Sequence, residues 1–161
     1  MASTTKIMTA LIALERGDLQ ELIPVPREAE GTEGSSMYLT AGERLSLEDL
    51  LYGLMLTSGN DAAVAIAEYI SGDVDSFAAL MNQEAAAMGA TRSHFVNPNG
   101  LPDENHYTCV YDMYLIFSNA IKNDTFVSII GTTSYDVTYT DASGEAVTHT
   151  WENTNQYLTG N

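Results

Sequence analysis

Two side chains capable of nucleophilic catalysis, Ser3 and Lys6, stand three residues apart near the start of the chain. At the head of a helix this spacing places both side chains on one face, within reach of a shared hydrogen bond. A serine hydroxyl needs a nearby base to act as a nucleophile, and a lysine can be that base where burial lowers its pKa. An N-cap serine followed by a solvated lysine would give the same pattern, and Ser-x-x-Lys arises by chance at roughly one position in a few hundred.

A second group of polar residues, Ser58-Gly59-Asn60, falls between two stretches of helical periodicity. Gly59 offers a break there, so the segment would present a hydroxyl and an amide side chain. Such groups can relay a proton and orient a substrate amide through directional hydrogen bonds. An ordinary turn between helices, with Asn60 as a cap, explains the segment equally well when it is taken alone. The presence of both motifs in one chain is what favours catalysis.

The elements that must position these residues are mostly helical. Apolar residues at helical spacing follow Lys6 and stop at Gly17, which predicts a first helix over 7–15. Ser46 with Asp49 three residues later is typical of a capping box and predicts the start of a second helix. Further helices are predicted over 62–70, with Asn60 or Asp61 as cap, and over 74–88 and 108–121.

Two β excursions interrupt the helices. Short β-prone pieces at 23–25 and 36–39 predict a small hairpin, and alternating β-branched residues at 135–140 and 146–151 predict a second one. An isolated hairpin is marginally stable, so the second should lean on another part of the protein. No repeat or linker divides the chain, which is therefore expected to be one α+β unit.

Composition narrows the classes of function. The 161 residues are 45% hydrophobic, enough for a buried core, and carry a formal charge of -16 that disfavours nucleic acid as a partner. Cys109 is the only cysteine, and the three histidines lack the pair spacing of zinc sites, so neither a metal nor a cofactor is expected. No run of eighteen apolar residues exists, so no membrane segment is predicted, and the first residues do not resemble a signal peptide.

Taken together, the motifs resemble those of serine D-alanyl-D-alanine carboxypeptidases, the low-molecular-weight penicillin-binding proteins of peptidase family S11. The stretch Ser3-Thr4-Thr5-Lys6 is similar to their S-x-x-K box, and Ser58-Gly59-Asn60 is similar to their S-x-N box. Order and wide spacing agree with the family. Further similar stretches run along nearly the whole chain: Glu33-Gly34-Ser35-Ser36-Met37, Gly42-Glu43-Arg44-Leu45, Phe95-Val96-Asn97-Pro98-Asn99-Gly100-Leu101, His106-Tyr107-Thr108 and Trp151-Glu152-Asn153-Thr154-Asn155.

This resemblance implies a role for each motif residue. Ser3 would be acylated by the penultimate D-alanine carbonyl of a peptidoglycan stem peptide, with Lys6 as its general base. Ser58 would relay the proton to the leaving amine, and Asn60 would bind the peptide amide. It also implies acylation of Ser3 by β-lactams and an extracytoplasmic location at the cell wall.

One departure from the family concerns its third motif, K-T-G, which the 161 residues do not contain. In the family that motif follows the W-x-N-x-N stretch and lies on a strand that closes the opposite wall of the cleft. We therefore expect residues 1–161 to be a partial catalytic domain. It would hold the helical region of the serine β-lactamase and D,D-peptidase fold with small hairpins, lack most of the central antiparallel sheet, and show weak or no activity by itself.

Two alternatives stay open from the sequence. A class A-like serine β-lactamase shares the first box, but it normally carries S-D-N in place of Ser58-Gly59-Asn60 and a glutamate base in an E-x-x-x-N setting that is absent here. A non-catalytic peptidoglycan-binding module could keep the fold without turnover. Slow hydrolysis of a β-lactam acyl-enzyme would argue against the first, and release of D-alanine by the complete protein would argue against the second.

Overall fold

The helix that follows Ser3 lies at the centre of the molecule. The structure, a computed structural model, describes residues 1–160, and Asn161, the last residue of the expected domain, lies outside the described residues. A 3-10 turn, Ala2–Thr4, leads into the first helix. The described helices are α1 Thr5–Arg16, α2 Leu47–Leu56, α3 Asn60–Ser71, α4 Val74–Ala87, α5 Val110–Ala120, α6 Asp124–Ile130 and α7 Gln156–Thr159, and the described strands are β1 Leu22–Pro24, β2 Arg44–Ser46, β3 Ser134–Thr140 and β4 Ala146–Glu152.

Helix α1 joins two hydrophobic clusters. Its residues Ala10 and Ala13 belong to a cluster with α2, α3 and the sheet, while Met8 and Ile12 belong to a second cluster with α4 and α5. Five helices, α2 to α6, pack against α1. Because both clusters hold it, the residues at its amino end are fixed relative to the rest of the helical body.

The break between α2 and α3 brings the second motif to the surface of this body. The predicted cap of α2 is confirmed, since Ser46 Oγ accepts a hydrogen bond of 3.0 Å from the backbone N–H of Asp49. The predicted cap of α3 is wrong: Gly59 occupies the N-cap position, and Asn60 and Asp61 are already inside the helix. Both side chains form hydrogen bonds with the loop at residues 33–39 instead, and the glycine occupies the N-cap position.

The four strands form one antiparallel sheet in the order β1-β2-β3-β4. The prediction that 36–39 would pair with 23–25 is wrong, because β1 pairs with Arg44–Ser46 instead. Residues 36–39 form a loop whose backbone N–H groups at Met37 and Leu39 donate to the Asp61 carboxylate. A side chain therefore takes the hydrogen bonds that a partner strand would otherwise have supplied.

The second predicted hairpin is confirmed as β3 and β4, with Val137 opposite His149. The hairpin packs against other parts of this chain: β3 pairs with β2, and the Tyr135 ring stacks on Tyr52 of α2 with centroids 3.8 Å apart. Trp151 lies next to Tyr135 at 6.3 Å and is largely buried, as expected of a residue that anchors the hairpin.

The remaining helices follow the sequence pattern in most places. Helices α4 and α5 lie where helices were expected, although α5 begins at Val110, with Cys109 rather than Thr108 at its N-cap. The short helices α6 and α7 were not predicted. The expected α+β class is confirmed, and within residues 1–160 no helix is long and apolar enough to cross a membrane.

Candidate active site

The two serines of the motifs meet across 55 residues of sequence. Ser3 Oγ and Ser58 Oγ are 2.8 Å apart, within hydrogen-bond distance. Ser3 is exposed on the turn ahead of α1, and Ser58 is half-buried in the break before α3. The structure therefore brings together the hydroxyls of the two predicted motifs at a place that solvent and a ligand can reach.

Both serines sit next to strained backbone. Ala2, immediately before Ser3, has a φ of 46°, and Ser58 itself has a φ of 56°, in the left-handed region that residues other than glycine seldom adopt. Each such residue costs on the order of 1–3 kcal/mol and persists only where its surroundings enforce it. Strain of this kind on both sides of one hydroxyl pair is typical of a functional site rather than of an ordinary turn.

Lys6, in the first turn of α1, is only 3% exposed. Its ammonium donates a 2.7 Å hydrogen bond to the backbone carbonyl of Asn99, and no hydrogen bond joins it to Ser3 or Ser58. Ser3 lies in the 3-10 turn before α1 and Lys6 in the first turn of α1, and the close approach of their side chains on one helix face stays a prediction. Burial disfavours the charged ammonium and lowers the pKa of Lys6 to about 8.

Asn60 is held from two sides and is buried. Its side-chain amide donates to the backbone carbonyl of Glu33 at 2.7 Å, and its backbone N–H donates to that of Ser35 at 2.8 Å. Gly34 also packs closely against the Asn60 amide. The S-x-N segment is thereby tied to the loop at residues 33–39, which fixes where Ser58 stands.

A second loop, residues 97–106, docks on the amino end of α1 through three buried side chains of that helix. Lys6 binds Asn99 as described, and Thr9 Oγ1 donates to the backbone carbonyl of Pro98 at 2.6 Å. Thr5 Oγ1 forms a 2.8 Å hydrogen bond with Nε2 of His106. Thr5, one of the two residues between Ser3 and Lys6, is thus bound to the far end of the same loop.

His106 is held in one tautomer by its neighbours. The backbone N–H of Val96 donates to Nδ1 at 3.0 Å, so Nδ1 is unprotonated and Nε2 carries the proton that faces Thr5. Burial lowers the pKa of His106. His106 is therefore a structural contact of the loop, and it also borders an open pocket beside Ala2 and Gly100.

Several residues that build the site were not singled out from sequence. Thr5, Thr9 and Asn99 act through buried hydrogen bonds that bring together parts of the chain about ninety or more residues apart, which no local pattern reveals. Asp61 was considered only as a helix cap. The signal that could have found it is an acidic residue directly after a glycine-containing break, where it can accept backbone N–H groups from a neighbouring loop.

Nothing in the described residues forms a metal site, since no cluster of three or more His, Cys, Asp or Glu side chains occurs among them. Within the same part of the chain every buried side-chain nitrogen and oxygen has a hydrogen-bond partner. The arrangement can supply a nucleophilic hydroxyl, a second hydroxyl that contacts it, and a buried amine that can lose its proton near neutral pH.

Comparison with known proteins agrees with this chemistry. The family model of the D-alanyl-D-alanine carboxypeptidases, peptidase family S11, matches residues 1–161. The D-alanyl-D-alanine carboxypeptidase DacF of Bacillus subtilis is 37% identical over 136 residues, covering 81% of this chain and 35% of the relative. The D-alanyl-D-alanine carboxypeptidase of Streptomyces sp. strain K15 is 35% identical, covering 97% of this chain and 58% of the relative.

Solved structures show the same fold. The crystal structure of the Streptomyces K15 DD-transpeptidase superposes with a TM-score of 0.91 at 32% identity, covering 99% of this chain and 66% of that one. A penicillin-binding protein homolog from Mycobacterium tuberculosis superposes with a TM-score of 0.87 at 30% identity, covering 99% and 59%. The chain thus spans between about a third and two thirds of the length of the proteins that it resembles.

Proposed function

Because this chain belongs to the D-alanyl-D-alanine carboxypeptidase family, we propose that residues 1–161 are part of a serine D,D-carboxypeptidase catalytic domain and hold its acylation centre. The substrate is a peptidoglycan stem peptide ending in D-alanyl-D-alanine. The observations that carry the proposal are the 2.8 Å contact between Ser3 Oγ and Ser58 Oγ and the burial of Lys6, three residues after Ser3. A chance pair of surface motifs would not converge on one exposed hydroxyl.

In the proposed reaction Ser3 Oγ attacks the carbonyl carbon of the penultimate D-alanine. The proton of the hydroxyl passes to the neutral amine of Lys6. The peptide bond breaks as Ser58 donates its proton to the amine of the departing D-alanine and receives a proton from the Lys6 ammonium in return. Water then hydrolyses the ester on Ser3. The backbone N–H of Ser3 provides part of the oxyanion hole, a type of contact typically worth about 3–4 kcal/mol of barrier height.

The state of Lys6 supports its part in this reaction. A base must be unprotonated, and a pKa of about 8 leaves a useful fraction of neutral amine near neutral pH, whereas an ordinary lysine would have almost none. In the free protein the Lys6 ammonium donates its hydrogen bond to the backbone carbonyl of Asn99 and not to Ser3. Catalytic hydrogen bonds are often long or unformed in the free enzyme, so a rotation of the lysine side chain toward Ser3 on substrate binding completes the pathway.

Asn60 is proposed to bind the amide of the stem peptide. Its amide nitrogen and backbone N–H are used by the 33–39 loop, which leaves the side-chain oxygen as the group that faces a substrate N–H. We further propose that β-lactams acylate Ser3, because their strained amide presents the same carbonyl, and that the protein works on the outer side of the cytoplasmic membrane, where peptidoglycan lies.

The first experiment is covalent labelling with a β-lactam, measured by the mass of the intact protein. Since the 161 residues contain no K-T-G sequence, we expect weak or no labelling of this chain alone. Rapid stoichiometric labelling of the 161-residue chain would contradict that expectation. In a version extended to include the K-T-G strand, we expect labelling and release of D-alanine from a stem pentapeptide.

The decisive variant in the extended protein is Ser3→Ala, which should abolish labelling. Ser143→Ala, an exposed serine in the turn between β3 and β4, serves as the matched control and should label normally. Persistent labelling of the Ser3→Ala protein would remove Ser3 from the mechanism. Labelling followed by rapid hydrolysis of the acyl-enzyme would instead favour a β-lactamase.

A further inference from the structure

Tyr38 is a third strained residue, in addition to the two that flank the serine pair. Its φ is 59°, and with Ala2 and Ser58 it completes the set of non-glycine residues with positive φ in the described part of the chain. The ring is 88% exposed, and its hydroxyl has no hydrogen-bond partner among the described residues. A bulky side chain in this backbone conformation is unfavourable and needs a reason, because nothing in the fold is packed by the ring.

The strained backbone is locked by neighbours on both sides. The N–H of Tyr38 donates to Ser36 Oγ at 2.8 Å, and that hydroxyl donates to the carboxylate of Asp61 at 2.8 Å. The same carboxylate accepts the N–H groups of Met37 and Leu39. Asp61 is 1% exposed and sits directly after Ser58-Gly59-Asn60. The backbone of Tyr38 is therefore held at a fixed place relative to the Ser58-Gly59-Asn60 motif.

Tyr38 stands at the rim of a groove of about 380 Å³ between the 33–39 loop and the β3–β4 hairpin. Thr57, the residue before Ser58, lines one side of it, and Tyr139 and His149 line the other with their rings stacked at 5.8 Å. Glu43 lies at the edge and has one carboxylate oxygen committed to the N–H of Thr40. The groove thus combines aromatic faces with a carboxylate, an imidazole and hydroxyl groups.

We propose that this groove is a saccharide subsite, which binds a sugar ring of the glycan strand that carries the reacting stem peptide. A pyranose ring has an apolar C–H face that packs on an aromatic side chain and an edge of hydroxyls that pair with carboxylate, imidazole and hydroxyl groups. The volume suits one or two such rings. The inference rests on the proposed function, since the glycan strand is the polymer to which the stem peptide is attached.

The charge of the protein favours a neutral ligand over an anionic one for this groove. The protein carries a formal charge of -16, which repels acidic polymers, whereas N-acetylated sugar rings are neutral. The muramyl carboxylate of the strand is used up in the amide bond to the stem peptide, so it adds no charge where a stem peptide is present. Because Thr57 joins the groove to Ser58, a strand bound there would place its peptide near the serine pair.

The fluorescence of Trp151 gives a direct test. It is the only tryptophan of the chain and it lines the groove, so ligands can be titrated into the 161-residue protein without labels. The probe is the neutral N-acetylglucosamine tetrasaccharide, which carries no peptide. We expect a saturable change in the Trp151 emission, unchanged in Ser3→Ala because no acylation is involved. No change up to millimolar tetrasaccharide would overturn the proposal.

Two variants locate the binding. Tyr38→Ala removes the exposed ring and should raise the dissociation constant about fivefold or more, and His149→Ala on the opposite, exposed wall should also weaken binding. Tyr114→Ala removes a tyrosine that is 64% exposed on α5, away from the groove, and should leave the constant unchanged. Equal effects of Tyr38→Ala and Tyr114→Ala would overturn the proposal.

A competition experiment with free stem peptide distinguishes saccharide binding from peptide binding in the groove. A free stem peptide without sugar should leave the Trp151 signal and the tetrasaccharide affinity unchanged. If only the free peptide changes the signal, the groove is a peptide subsite and the saccharide proposal fails. Because the titration needs no reaction at Ser3, its failure would leave the acylation proposal standing, and loss of acylation in an extended protein would not affect this result.

Discussion

At the scale of single residues, Lys6 shows how the fold prepares a base. Its ammonium is buried at the junction of α1 and the 97–106 loop, with one backbone carbonyl as its hydrogen-bond partner and, among residues 1–160, no carboxylate within salt-bridge distance. A neighbouring carboxylate would have raised the lysine pKa and cancelled the effect of burial. The absence of a counter-charge is thus as important to the proposed chemistry as the burial itself.

This arrangement predicts the titration of Lys6. The chain has only two lysines, Lys6 and Lys122, so their side-chain NMR signals can be followed separately and assigned with a Lys122→Arg variant. We expect Lys6 to lose its proton with a midpoint of about 8, because its desolvated ammonium is disfavoured. A midpoint near the ordinary lysine value of 10.5 would show that Lys6 is hydrated and not prepared to act as a base.

The lowered pKa of Lys6 also makes the unfolding free energy of the protein depend on pH. Between a pH of about 8 and 10.5 the unfolded chain holds a proton on Lys6 that the folded chain has lost, so stability rises with pH across this window. The full shift corresponds to about 3 kcal/mol. Denaturant titrations give the unfolding free energies of the parent protein and of Lys6→Met, which lacks the amine. The unfolding free energy of the parent protein should increase relative to that of Lys6→Met from pH 8 to 10.5. A difference between the two proteins that stays constant with pH would contradict the burial of the charge.

At the scale of elements, the site is an assembly of two loops on the ends of two helices. The 97–106 loop docks on the start of α1, and the 33–39 loop docks on the start of α3. In both contacts a buried polar side chain of the helix forms hydrogen bonds with backbone groups of the loop. Losing such a hydrogen bond is costly because the partner group is left buried and unpaired. Positioning of the serine pair thus depends on loops that carry neither serine.

Gly100 tests the first of these contacts. It has a φ of 91° and approaches the backbone of Ala2 so closely that an added Cβ would overlap the Ala2 carbonyl. Gly144, in the hairpin turn, has the same φ but nothing within 4 Å of an added Cβ. We expect Gly144→Ala to cost about 1–2 kcal/mol from backbone strain alone, and Gly100→Ala to cost at least about 2 kcal/mol more.

Measurement of the unfolding free energy by denaturant titration compares the two variants directly. The overlap in Gly100→Ala should also displace the loop from α1, so the NMR signals of Lys6 and Thr5 should shift in this variant and stay in place in Gly144→Ala. Equal costs for the two substitutions would mean that the 97–106 loop is not packed against Ala2.

The same two loops mark where the sequence could and could not predict the structure. Helices α1, α2 and α4 and the β3–β4 hairpin follow from apolar periodicity, a capping box and alternating residues, all of which are local signals. Residues 36–39 have the composition of a strand, yet the carboxylate of Asp61 takes their backbone hydrogen bonds. The local sequence pattern does not show whether a partner strand or a distant side chain will take the backbone hydrogen bonds of these residues.

The candidate site divides in the same way. Ser3, Lys6, Ser58 and Asn60 could be named because their motifs are short and recur in order. Their geometry could not be predicted, because Ser3 belongs to a 3-10 turn and Lys6 binds a carbonyl 93 residues away. Pairings over such distances depend on how α1 packs among five other helices, which is a property of the whole core.

At the scale of the whole molecule, the described residues form a helical body with a four-stranded antiparallel sheet. Its two hydrophobic clusters both include residues of α1, the helix that carries Lys6 and follows Ser3. The relatives are up to about three times as long as the stretch that this chain matches. We therefore expect the fold and the Lys6 titration to be properties of this chain, and turnover to be a property of the complete enzyme.

The charge of the whole molecule leads to a last prediction. Against 22 acidic residues there are six basic ones, and Arg16 with Glu84 forms the one salt bridge among the described residues. Like charges spread over a compact surface repel more strongly than in the expanded unfolded chain, so screening should stabilise the fold. The melting temperature should rise between about 10 mM and 0.5 M sodium chloride, where the screening length falls from about 30 Å to a few Å.

The Arg16–Glu84 pair provides the control for this prediction. It is an exposed pair whose contribution is at most about 1 kcal/mol and which salt weakens rather than strengthens. Arg16→Gln should therefore lower the melting temperature slightly at low salt, and the difference from the parent protein should shrink as salt is added. A melting temperature that falls with salt in the parent protein would mean that local ion pairs, and not the net repulsion of the acidic surface, dominate its electrostatic stability.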